Sequence, residues 1–222
     1  RVSPPSISWE DAEKVADLLL GARDPVMVVG RGVHASRAYD EVRGLAEEIG
    51  MPVATTYMGK SGISETHDLS VGTIGQIGQR AANDKVTGAD LLLAVGTCLA
   101  PDNTKMLSPD FINPERQKIV QIDIEPLNAG WTFPVTMGIT SDARAALKAV
   151  LDVIRIRPSK NEAEQRVQAL RVFKAERGFF SSEASDSEAS PVMPERIVRG
   201  LNETVGPDDL VVLDCGNNRM FM

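Results

Sequence analysis

The sequence predicts an α/β protein: a parallel sheet of about six strands with helices on both faces, followed by the opening of a second α/β domain. Three observations predict it. Residues 26–29 and 90–96 hold continuous apolar runs, not alternating ones, as expected of strands covered on both faces, and 118–124 reads as a further strand. Stripes of apolar residues at helical spacing separate these runs, which is the plan of a parallel sheet. And Gly30-Arg31-Gly32 follows the first run at once, giving strand, glycine turn and helix in immediate succession.

Each element has its own signal. Ser8 is placed to cap a first helix, with Asp11 three residues on and Trp9, Ala12, Val15, Ala16, Leu18 and Leu19 forming its apolar stripe; Gly21 ends it. The run at 26–29 is the first strand. A helix is predicted over residues 36–49, with Val42, Leu45, Ala46 and Ile49 inward and Gly50 as its stop. Residues 52–56 read as the second strand. Over residues 69–78, three glycines at a spacing of three favour a ligand-facing loop over a third strand. A short helix follows over 79–86, then the buried strand at 90–96. Residues 97–116, with Pro101, Pro109 and Pro114, form a long irregular loop of the kind that often carries function. A strand over 118–124, a shorter one over 133–137, and a helix capped by Ser141 or Asp142 and running to Ile154 complete the domain.

The composition changes after Ile156. Residues 1–156 are read as a central domain and 157–190 as a polar helix plus a flexible linker rich in serine and acid. Residues 191–222 are the first helix of a second domain and its first strand, at 209–214. About 30 residues cannot build a core alone. Together with the linker-like opening Arg1-Val2-Ser3-Pro4-Pro5, this leads us to expect a piece of a longer polypeptide.

Composition excludes some functions. Hydrophobic residues make up 42% of the 222, enough for a core, and the net charge of −7 with no run of Lys or Arg argues against nucleic acid. No apolar run approaches the roughly 20 residues needed to cross a bilayer. Cys98 and Cys215 read as two buried, reduced thiols, which places the protein in the cytoplasm.

The chemistry-bearing stretches lie at predicted strand ends. Gly30 to Ala35 fits G-x-G-x-x-A, but the second strand ends in Thr55-Thr56-Tyr57, without the carboxylate that would hold a ribose in an ordinary NAD site. Asp123, closing a later strand, could hold a hydroxyl or simply cap a loop. His34 and His67 read as surface loop residues, and no metal-ligand spacing occurs. No catalytic constellation assembles by spacing. The turn Asp214-Cys215-Gly216-Asn217-Asn218-Arg219 leaves a strand toward a helix, where a diphosphate could sit or where an ordinary loop would serve.

Six stretches, PVMVVGRGVHA, MPVATTYMGKSGISETH, VGTIGQIGQRAAND, ADLLLAVGTCL, KIVQIDIEP and VVLDCGNNRM, together resemble the thiamine diphosphate-dependent enzymes of the acetolactate synthase, pyruvate oxidase and pyruvate decarboxylase superfamily. The resemblance implies a Rossmann-like central domain followed by the start of the pyrophosphate-binding domain, and action on a 2-keto acid by decarboxylation, carboligation or both. It places Gly216, Asn217 and Asn218 near the thiamine diphosphate. The Mg2+ ligands and the glutamate that activates the cofactor would lie outside this chain, so no catalytic or metal-binding residue is assigned here and the chain alone is expected to be inactive. The full-length protein would be a homodimer or homotetramer, with the central domain between two catalytic ones.

Relatives in this superfamily carry FAD, ADP or nothing on the central domain. The matching positions here are Gly30, Gly32, Thr56, Tyr57, Ile74, Gln76, Gly96, Thr97, Asp123 and Asp142. After Gly96 this chain has Thr97-Cys98-Leu99-Ala100-Pro101-Asp102, without the arginine of the flavin-binding relatives, and Ile77 stands where a histidine is common. Both departures favour a vestigial or ADP-type site over a flavin site. The competing readings are a stand-alone module binding FAD, ADP or NAD, and a domain used mainly for subunit contacts.

Overall fold

The structure, a computed structural model, describes residues 3–157, 162–180, 183–214 and 216. It divides into two compact units, one reaching to Lys174 and the other starting at Ala175.

The first unit is built on six strands: β1 (Pro25–Val29), β2 (Val53–Thr55), β3 (Ser70–Thr73), β4 (Leu91–Val95), β5 (Lys118–Asp123) and β6 (Met137–Thr140). Every pairing is parallel and the spatial order is β3-β2-β1-β4-β5-β6, the doubly wound order of a Rossmann-like fold. β1 and β4 are buried at all five positions each, which is why both read as unbroken apolar runs. The crossovers are α2 (Arg31–Ser36) with α3 (Tyr39–Ile49), and α4 (Arg80–Gly88); α1 (Trp9–Gly21) and α5 (Ala143–Arg155) flank the sheet. α1 and α3 both pack on α5. Sheet growth runs one way from β1 to β3 and the other way from β4 to β6, so right-handed crossovers put α4 on the face opposite α3.

The predicted caps hold where the chemistry was explicit. Ser8 accepts from Asp11 N, and Asp142 accepts from Ala145 N at the start of α5. Gly50 ends α3 in the left-handed region at φ 64°. Four expectations are corrected. The helix expected over 36–49 is two helices, because Arg37 adopts φ 53° and closes α2 before Ala38 opens α3. Residues 70–73 form β3, not only loop: the pairing with β2 shifts register between Val53 and Ala54, and Gly72 at φ 89° supplies the bulge. The last strand is Met137–Thr140 and not 133–137, since Thr136 N first reaches Ile119 O and the ladder runs onward from there. Residues 209–214 show no strand; Leu210 and Val212 are 89% and 82% exposed.

α6 (Ala163–Glu176) begins inside the first unit. There Leu170 is buried, and the Arg166 guanidinium donates to Ile49 O and Ala22 O. In the second unit, Glu183–Asp186, within the run expected to be a flexible linker, forms a 3-10 turn, and α7 (Pro194–Thr204) starts on a proline at its first position. Arg199 pairs with Asp186 and with Glu203.

One ion pair ties α6 to the approach to β3. Arg171 donates to both oxygens of Asp68, at 2.6 and 3.3 Å, and Lys174 Nζ donates to Asp68 O. The bond from Arg171 holds the Asp68 carboxyl below its ordinary range, with smaller help from the Lys174 and His67 charges. Because the folded value is depressed, its contribution is complete above the unfolded value and is lost as pH falls through the folded one. Asp68→Asn is therefore expected to lower the melting temperature at about pH 6 and to reduce its further fall by about pH 3. A thermal melt series over that range checks it, and identical pH profiles would refute it.

Candidate functional site

In an open parallel sheet, ligands bind outside the carboxyl ends of the strands, at the point where the strand order reverses. Here that point lies between β1 and β4, and the fold delivers most of the expected residues to that end of the sheet. Gly30 and Gly32 follow β1, Thr56 follows β2, Gln76 follows β3, Gly96 and Thr97 follow β4, Asp123 ends β5 and Asp142 follows β6.

The polar groups at these positions are largely engaged within the chain. Gly30 N donates to Val95 O and Gly32 N to Gly96 O, both at 2.9 Å. Thr56 Oγ1 accepts from Gly59 N, capping the 3-10 turn Tyr57–Gly59. Thr97 Oγ1 accepts from Leu99 N at 3.1 Å. Asp123 Oδ1 accepts from Glu125 N at 2.9 Å, and Glu125 Oε1 accepts from Leu127 N, so the two carboxylates cap consecutive steps of one turn. Asp142 caps α5. Gln76 is exposed.

Three buried amides that sequence reasoning passed over hold the sheet, Gln121 and Asn83 at this end and Gln117 at the opposite one, just before β5. The Gln121 Nε2 donates to Thr97 O and Asn128 O, both at 2.9 Å, while its Oε1 accepts from Gly130 N. Asn83, on α4, clasps the backbone of Gly75: its Oδ1 accepts from Gly75 N and its Nδ2 donates to Gly75 O, both at 3.0 Å. Gln117 Nε2 donates to Val86 O and Ala89 O. Their signal was available for Gln121, an amide in the middle of an otherwise apolar strand.

One histidine expectation is corrected, that for His34, while His67 does lie in a loop. His34 lies on α2, half-buried, with Nδ1 3.0 Å from the Tyr39 hydroxyl and Nε2 2.9 Å from Lys60 O. His67 bridges Glu47 and Leu69 N. Cys98 is half-buried and not fully buried as expected; Cys215 lies outside the described residues. No group of metal-ligating side chains forms among the described residues. For the diphosphate turn, Gly216 is exposed in a bend, and Asn217 and Asn218 lie outside the described residues. An open hollow of about 500 Å³ lined by Lys14, Asp17, Leu18, Thr136 and Met137 sits by the start of β6, at the other end of the sheet. Among the described residues no helix is long and apolar enough to cross a membrane.

Comparison with known proteins agrees with this architecture. Residues 12–150 match the family model described as thiamine pyrophosphate enzyme, central domain. The chain is 32% identical over 219 residues to a probable acetolactate synthase large subunit of Methanocaldococcus jannaschii, covering 95% of this chain and 35% of that protein. It is 30% identical over 225 residues to a sulfoacetaldehyde acetyltransferase of Castellaniella defragrans, covering 94% and 38%. It is also 30% identical over 209 residues to the acetolactate synthase large subunit of Corynebacterium glutamicum, covering 94% and 33%. The chain thus spans about a third of the length of the curated relatives it matches. With a six-stranded parallel sheet in doubly wound order and a family match over the same residues, the chain belongs to the thiamine pyrophosphate enzyme central-domain family.

Proposed function

We propose that this chain is the central part of a cytoplasmic enzyme, dependent on thiamine diphosphate and Mg2+, that decarboxylates a 2-keto acid, joins it to a second carbonyl compound, or does both. The observation that carries the reading is the family match over residues 12–150 in relatives named for acetolactate synthesis and acetyl transfer. In such an enzyme the cofactor supplies the electron sink for bond cleavage next to a carbonyl, and the protein supplies binding and orientation. Gly216, Asn217 and Asn218 are the residues we assign to its diphosphate. The domain described here contributes a rigid wall between catalytic parts in a homodimer or homotetramer. The domain limits follow the same reading, with residues 1–156 as the central domain, 157–190 as the connection and 191–222 as the start of the diphosphate-binding domain.

The test is an assay of carbon dioxide release from pyruvate and other 2-keto acids by the whole gene product. We expect release only when thiamine diphosphate and Mg2+ are both present, falling to background after chelation and dialysis and restored by adding both back. Activity that persists without them would sink the proposal. So would a gene product that binds FAD, ADP or NAD but never thiamine diphosphate, the behaviour of a stand-alone nucleotide module.

A further inference from the structure

A dinucleotide across the β1–β4 junction needs room for a phosphate against the glycines and free N–H groups facing it. Neither is present. A methyl group added at Gly30 would lie 2.4 Å from Gly96 O and 2.5 Å from Thr97 Cβ. One added at Gly32 would lie 2.5 Å from Gly96 Cα, and one at Gly96, which sits at φ 61°, 2.5 Å from Gly32 Cα. The space that the missing side chains open is thus occupied by the opposing backbone. The Gly30 and Gly32 N–H groups that a phosphate would draw on are spent on Val95 O and Gly96 O.

The mouth beside this junction is bridged as well. The 3-10 turn Pro101–Thr104, in the loop after β4, reaches the loops after β2 and β3. A Cβ at Gly75 would lie 2.9 Å from Asp102 O, and Tyr57 N donates to Asn103 Oδ1 at 3.4 Å. Thr104, in this turn, and Leu99 and Ile74 are buried, and the Thr104 hydroxyl donates to Ala100 O. The carboxylates that could hold a ribose, Asp123 and Asp142, are both engaged as caps.

We propose that this junction is an internal seal: Gly30, Gly32 and Gly96 lock the ends of β1 and β4 together, and the domain takes neither a flavin nor an adenine nucleotide diphosphate there. The glycine fingerprint then serves backbone packing and not ligand binding. This inference concerns the central domain alone and holds or fails independently of the thiamine diphosphate reading.

A sign reversal makes it testable. Gly32 lies in α2, where alanine is ordinarily favoured over glycine by roughly 1 kcal/mol. The seal predicts the opposite: Gly32→Ala lowers the melting temperature by roughly 5–10 °C, equally with and without FAD. Gly21→Ala, with nothing within 4 Å of the added methyl group, serves as the control and does not lower it. In parallel, the purified protein is titrated with FAD, ADP and NAD by calorimetry, and FAD also by flavin fluorescence. We expect no saturable binding up to about 1 mM. A dissociation constant below about 100 μM for any of them would overturn the seal, as would an unchanged melting temperature in Gly32→Ala. Should that variant fail to fold, the titration of the unmodified protein decides.

Discussion

Gln121→Leu is expected to destabilise the first unit by about 3–5 kcal/mol, although leucine is similar in size and more apolar. Gln121 is 2% exposed, in the middle of β5. Its amide satisfies three backbone groups: the carbonyls of Thr97 and Asn128 and the N–H of Gly130. Leucine would recover the transfer free energy of a buried side chain, about 2 kcal/mol. It would leave three polar groups without their partner, each costing about 1–3 kcal/mol where water cannot replace it. The loss outweighs the gain. Urea denaturation with an unchanged slope and a lowered midpoint would confirm the expectation; stability equal to that of the unmodified protein would refute it. Gln121→Glu makes the comparison sharper, since it keeps the acceptor for Gly130 N but replaces the amide donor with a buried carboxylate facing two carbonyls.

The second large effect is expected at Gly59. This residue ends the Tyr57–Gly59 turn and presses on the end of β1, where an added Cβ would lie 2.2 Å from Val29 O and 2.8 Å from Val29 C. The obstacle is backbone in the central strand of the sheet, not a side chain that can swing aside. Gly59→Ala should therefore cost about 3 kcal/mol, the upper range for inserting one methyl into a packed site. Equilibrium unfolding measures it, with Gly88→Ala as the partner variant, because nothing lies within 4 Å of the methyl group there. Equal stabilities of the two variants would refute the close approach.

These sites show what could be read in advance. β1 and β4 were legible because burial on both faces leaves an uninterrupted apolar run, and α1 and α5 because a cap residue sits ahead of an amphipathic stripe. β3 was obscured by Gly72, whose positive φ serves a bulge that depends on the register of another strand. The break between α2 and α3 rests on Arg37 in the left-handed region, which no local residue preference announces. At the site, position was legible and use was not: Gly30, Gly32 and Gly96 do meet at the end of the sheet. Whether a glycine faces a ligand or another glycine depends on a contact between residues more than 60 positions apart. Asp123 and Asp142 were ambiguous between ribose holder and cap because both uses place a carboxylate at a strand end; the N–H groups they accept from, Glu125 and Ala145, are local.

The strand order has a consequence for how the chain is made. β1 takes one neighbour from Val53–Thr55, soon after it in sequence, and the other from Leu91–Val95, far behind it. A nascent polypeptide emerging from the ribosome can assemble β1, β2 and β3 while the opposite edge of β1 stays bare until Val95 is synthesised. During that interval an apolar strand destined for the centre is an outer one, open to the wrong partner. Synthesis pace through residues 74–95 thus bears on yield as much as the final stability does.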